Sequence, residues 1–133
     1  MKYIYTAVIT PSEDGTCFYA KVPDLDGCIT TGNTLEDAIE QIKDAASVWL
    51  VVAEDNDDFI SEPTVQSKIA HDENSILSLI SVDTIAYRAA TDTRAVRKNV
   101  SLPSWMAVLA DKRGINVSQL LQTALMEKLS IAK

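Results

Sequence analysis

Thr34-Leu35-Glu36-Asp37-Ala38-Ile39-Glu40-Gln41-Ile42-Lys43-Asp44-Ala45-Ala46-Ser47-Val48-Trp49-Leu50-Val51-Val52-Ala53 is the passage that decides the fold. Thr34 reads as a helix N-cap, Asp37 stands three residues on as the capping-box acid, and Glu36 adds negative charge near the positive helix end. Leu35, Ile39, Ile42, Ala46, Trp49 and Ala53 recur at three- and four-residue spacing, which makes one apolar stripe. Glu36, Glu40, Lys43, Asp44 and Ser47 fill the other side. Trp49 suits a core position or a contact with a partner better than a cofactor platform. The run Glu54-Asp55-Asn56-Asp57-Asp58 then carries the helix end into water. A solvated loop is its simpler meaning, and a cation or a basic partner is the other.

Upstream, the period changes from helical to alternating. Tyr3, Tyr5, Ala7 and Ile9 alternate with Ile4, Thr6, Val8 and Thr10, so residues 3–9 predict a strand with at least one buried face. Pro11-Ser12-Glu13-Asp14-Gly15 is a turn, because Pro11 ends the ladder and Gly15 accepts positive φ after Asp14. Cys17–Val22 predicts the second strand of a hairpin, closed by Pro23. A short third strand is expected near Cys28–Thr31, after the turn-rich Pro23–Gly27. The acids beside Gly27 do not meet the spacing of a calcium loop. The helix is expected to cover one face of this three-stranded sheet.

Downstream, residues 60–75 are irregular and polar, with Pro63 among them, and Ile76–Val82 returns to strand character. His71 lies in the polar stretch without a second imidazole, so no acid–base pair or zinc set is implied. Cys17 and Cys28 share no CxxC spacing. They read as two small thiols, with a single disulfide as the alternative. There is no P-loop, dinucleotide fingerprint, nucleophile elbow or HExxH, and no metal or cofactor is expected.

Charge divides the chain of 133 residues. Residues 1–93 carry 5 Lys/Arg against 17 Asp/Glu, a balance of −12, and residues 94–133 carry 7 against 2, a balance of +5. Nucleic acid would repel the first part and attract the second. No apolar run reaches the roughly 18–20 residues that span a bilayer. Thr6, Thr10 and Pro11 interrupt any signal-peptide pattern, so a cytoplasmic location without a membrane is expected.

The basic part has its own pattern. Asp92–Ala95 reads as a linker, and Val96-Arg97-Lys98-Asn99-Val100-Ser101-Leu102-Pro103 as a short strand ended by proline. Alternation puts Val100 and Leu102 on one face and Arg97, Asn99 and Ser101 on the other. Ser104–Lys112 predicts a helix with Met106, Leu109 and Ala110 inward, broken at Gly114. Asn116 caps a second helix, with Gln119 at capping-box spacing. Val117, Leu120, Leu121, Ala124, Leu125 and Leu129 form its stripe.

A module of about 38 residues is too small to bury this much leucine alone. Two copies solve the problem, with the strands joined as an antiparallel ribbon over four helices and a core of Val100, Leu102, Leu109, Leu120, Leu121, Ala124 and Leu125. Such a ribbon fits a DNA major groove. Arg97, Asn99 and Ser101 are suited to guanine, adenine and either base, and the N–H groups near Val117 and Ser118 to a phosphate.

Taken in order, these pieces resemble a known family. The tail, Arg97–Pro103 followed by Gly114-Ile115-Asn116-Val117-Ser118-Gln119-Leu120-Leu121, resembles a ribbon–helix–helix repressor. Tyr5–Ile9, Phe18–Cys28, Thr30–Ala38 and Ser81–Tyr87 resemble the HicB-type antitoxin. This chain has Lys98 where the family's ribbon often has valine. The resemblance implies an α+β fold, with a truncated RNase H-like body over residues 1–92 in which an antiparallel sheet packs on a helix. It also implies a ribbon–helix–helix domain over 93–133.

Its implied function is non-enzymatic. The body would block a small basic HicA-type toxin, an RNA-cleaving enzyme with a double-stranded-RNA-binding-like fold, and the tail would bind operator DNA to repress the shared operon. A homodimer through the tail is implied, with room for a higher oligomer through the body. The acidity of the body fits that role independently, since a toxin that grips RNA must be basic. The rivals are a plain dimerisation tail, a stand-alone repressor whose body senses a ligand or oligomerises, and an enzyme with a DNA-binding tail.

Overall fold

The structure is a computed structural model and describes residues 1–131. The chain divides into two compact units, Met1–Thr91 and a second that begins at Asp92.

In the first unit, strands β1 (Lys2–Pro11), β2 (Phe18–Lys21) and β3 (Ile29–Gly32) precede helix α1 (Leu35–Asp55). A 3-10 turn at Gln66–Lys68, strand β4 (Ile76–Asp83) and helix α2 (Thr84–Thr91) follow. The strands form one antiparallel sheet in the order β3-β2-β1-β4. The sheet therefore has four strands, not three. Ile76–Asp83 pairs along the far side of β1, from Ile9↔Ile76 to Lys2↔Asp83. The first hairpin turns at Ser12–Thr16, where Asp14 Oδ1 accepts from Ser12 Oγ (2.7 Å), Thr16 Oγ1 (2.8 Å) and Thr16 N (3.1 Å). Those donors, Ser12 first, hold the Asp14 carboxyl down to about 2.

One face of the sheet is sealed by α1. Tyr5, Ala7, Ile9, Ala20, Val22, Ile80 and Val82 meet Ala38, Ile42, Ala46 and Leu50 in a single core. The expected cap is present, with Asp37 N donating to Thr34 Oγ1 at 3.0 Å. The return bond runs from Asn33 N to Asp37 Oδ2 at 3.0 Å, one residue ahead of the usual capping-box position. The buried line of α1 is Ala38, Ile42, Ala46, Ser47, Leu50 and Ala53. Leu35, Ile39 and Trp49, expected inward, flank it half-buried, and Trp49 Nε1 donates to the Asp26 carbonyl at 2.8 Å. Ser47, expected in water, is buried and donates to the Lys43 carbonyl at 2.8 Å. The buried line mixes small Ala38 and Ala46 with bulky Ile42 and Leu50, so close packing against the sheet and not side-chain bulk sets it. Gly32 belongs to the same contact, because a Cβ there would lie 2.4 Å from the Ala38 backbone nitrogen.

Cys17 and Cys28 are free thiols, and burial raises the pKa of Cys28. Helix α2 was not anticipated from sequence. Its start is marked by Asp83 Oδ1, which accepts from Ile85 N (3.1 Å) and Ala86 N (3.2 Å).

In the second unit, α3 (Ser104–Lys112) and α4 (Val117–Ile131) are joined through Gly114, whose φ of +67° suits a residue without Cβ. The Gln119 N–H donates to Asn116 Oδ1 at 3.1 Å, as expected of the cap. Residues 92–103 form neither helix nor strand, so the strand expected over Val96–Leu102 is absent from the single chain. A ribbon strand takes its ladder from a second strand, and one chain offers none.

Candidate nucleic-acid interface

None of residues 92–129 is buried, although this stretch holds most of the chain's leucines. Val100, Leu102, Leu109, Leu120, Leu121 and Leu125 are all exposed, Leu120 at 59%. They border two hollows. A cavity of about 310 Å³ is lined by Leu102, Leu109, Val117 and Leu120, with Trp105 and Ile115. A larger one, about 770 Å³, is lined by Val100 from the segment before α3 and by Leu121 and Leu125 from α4. Each expected core residue except Ala124 thus borders one of the two hollows.

The expected base readers separate. Asn99 and Ser101 border neither hollow, whereas Arg97 and Lys98 line the larger one beside Ser118. Val117 and Ser118 open α4, where first-turn N–H groups have no intrahelical acceptor and suit an anion. Trp105 and Ile115 were missed from sequence. Their signal was large apolar residues two positions after Pro103 and directly after Gly114, where the expected helix faces were not yet in phase.

On the first unit, the acidic run that closes α1 is partly structural. Glu54 Oε2 accepts from Tyr3 Oη (2.8 Å) and Thr84 Oγ1 (3.0 Å), and Arg88 pairs with Glu54 (3.1 Å) and Asp55 (2.9 Å). Burial, then the Glu54 bond and charge, pushes the Tyr3 phenol up to about 12. Asp57 and Asp58 remain exposed. His71 lies in an open surface hollow of about 270 Å³ with Lys21, Thr10 and Ser75, its Nδ1 2.9 Å from the Asp72 carbonyl oxygen.

The geometry defines a class: a self-sufficient acidic α+β unit followed by a basic helical unit whose apolar residues lack cover. The family model described as HicB-like antitoxin of bacterial toxin–antitoxin systems matches residues 5–124, and the chain belongs to that family. Its general role is accordingly that of a non-catalytic antitoxin within a toxin–antitoxin system. A UPF0150 protein of Synechocystis is 33% identical over 66 residues, covering 50% of this chain and 86% of that protein. Among solved structures, a toxin–antitoxin complex from Streptococcus pneumoniae aligns with a TM-score of 0.60 at 22% identity, over 96% of this chain and 99% of the other. The antitoxin HicB of Burkholderia pseudomallei aligns with a TM-score of 0.52 at 24% identity, over 98% and 99%. At these identities the likeness is one of fold. Among the described residues no helix is long and apolar enough to cross a membrane.

Proposed function

We propose that the chain is a cytoplasmic antitoxin that neutralises a small basic RNA-cleaving toxin of HicA type and represses its own operon. Residues 1–92 bind the toxin and occlude its RNA-binding surface, by contact and not by chemistry. Residues 93–133 pair with a second copy as a ribbon–helix–helix, in which the two Val96–Leu102 segments become each other's strand partners. The ribbon enters the major groove of operator DNA. Asn99, Ser101 and Arg97 read base edges, Arg97 after leaving the hollow it lines in the single chain. The N–H groups of Val117 and Ser118 hold a phosphate.

The observation that carries this proposal is the absence of any buried residue over 92–129 in a leucine-rich stretch. Taking such a side chain from full exposure to full burial is worth roughly 1.5–3 kcal/mol, and covering these half-exposed ones favours association by a part of that. Charge supports the division of labour, since the −12 part attracts a basic protein and the +5 part attracts phosphate.

The test combines sedimentation of the full chain, titration with operator and scrambled duplexes at fixed salt, and purification with the product of the neighbouring reading frame. A dimer or larger assembly that prefers operator and holds a small basic nuclease inactive is expected. A monomer indifferent to operator, or a neighbour that does not bind, overturns the corresponding half.

A further inference from the structure

The two edges of the sheet are guarded unequally. β3, at one end, has only four residues and ends in Gly32 at its contact with α1. β4, at the other end, runs for eight residues and pairs with β1 on one side only among the described residues. Exposed edges in monomeric proteins are ordinarily blunted by charge, proline or a bulge. Ile76-Leu77-Ser78-Leu79-Ile80-Ser81-Val82 carries no charge and no proline, and it keeps an unbroken register with β1. On the sheet face away from α1, where Thr6 and Val8 are buried, two apolar side chains near this edge stay open. Leu79 is 62% exposed and Ile4, two residues from its cross-strand partner Thr6, is 55% exposed.

We infer that the free edge of β4, with the Leu79–Ile4 patch, is where the toxin docks, by adding one of its own strands to the antitoxin sheet. This rests on the toxin-binding role proposed above and locates it. Main-chain bonds along an edge supply affinity, and alternate side chains supply specificity. Charge selects the occupant. Asp72 and Glu73 stand before β4 and Asp83 ends it, with Lys2 opposite Asp83, on a unit that is strongly acidic overall. A strand from a basic protein gains from that field, whereas a second copy would bring two acidic bodies together.

Hydrogen exchange on the full chain, with and without the basic protein from the neighbouring reading frame, tests the inference. The expected result is slowed exchange at those amides of Ile76–Val82 that do not bond to β1, with β3 unchanged. Leu79→Lys should weaken toxin capture about tenfold or more, as loss of a central apolar contact does. Ile29→Lys, at the other edge, adds the same charge at a comparably exposed residue and should leave capture near the parent value. A complex that forms with protection on β3 or α1 instead overturns the docking site and leaves the antitoxin role standing. Protection of β4 that rises with the concentration of the free protein assigns the edge to a second copy and also overturns it. A neighbouring product that forms no complex removes the role and the site together.

Discussion

The two units use apolar residues in opposite ways. In Met1–Thr91, Tyr5, Ile9, Leu25, Ile42 and Leu50 are sealed within one chain, between α1 and the sheet. Between Asp92 and Leu129, six leucines, one more than in the whole of the first unit, are all left exposed. The first unit closes its core by long-range pairing, with β1 alone joining β2 and β4. The second has two short helices and too little chain to wrap them. Under the proposed dimer, the stability of the first is a property of the molecule, while that of the second is a property of concentration. Under the same proposal, DNA affinity would track the protein's own abundance, while toxin capture by the first unit would not depend on assembly.

The largest effect that would break the contrast lies at Val100. Under the proposed dimer, Val100→Asp places a charge in the shared core and should give a monomer without operator binding, while the helix and sheet signals of the first unit persist. Sedimentation, circular dichroism and duplex titration check this. A dimer of full affinity would put Lys98, not Val100, on the core face.

Next comes Leu50→Ala, which empties a fully enclosed site and should cost about 2–5 kcal/mol in denaturant unfolding. The loss should be independent of protein concentration, since that core closes within one chain. A concentration-dependent loss would show that the first unit also needs a partner.

Asn99→Ala sharpens the comparison on the second unit. It should cost about 1–3 kcal/mol against operator and leave scrambled duplex nearly unchanged, because non-specific affinity comes from phosphates. Equal loss on both duplexes would make Asn99 a backbone contact.

Smaller still are the two N-caps, the same device in different settings. Thr34→Ala and Asn116→Ala should each cost about 1 kcal/mol. The first should appear in a transition that ignores concentration, and the second in one that shifts with it. Calorimetry over a range of concentrations separates them.

A further effect is confined to alkaline pH. The folded unit raises the Tyr3 phenol from 10.0 to about 12, so its neutral form is favoured on folding. That contribution is whole below pH 10 and is lost as pH rises toward 12. Tyr3→Phe should flatten this arm of the stability profile, and an unchanged arm would assign it to other groups.

Local signals made much of this legible in the sequence. Thr34 with Asp37, Gly15, Pro103, Gly114 and Asn116 each act within a few residues, through a cap, a fixed φ or a missing N–H, so the starts of α1, α3 and α4 and the first turn could be read directly. The charge division is a matter of composition and needs no coordinates. Tertiary structure alone decided what depends on distant partners. It set β4 beside β1, joining residues about 80 apart at Lys2↔Asp83. It turned α1 so that Ala38, Ile42, Ala46 and Leu50 meet the sheet, leaving Leu35 and Ile39 half-buried at the flank. It drew Tyr3, Thr84 and Arg88 around Glu54, where sequence offered only an acidic run. The ribbon marks the physical boundary between the two kinds of information. Alternation in Val96–Leu102 specifies faces for a strand, but a strand exists only with a partner, and a single chain's tertiary structure does not contain one.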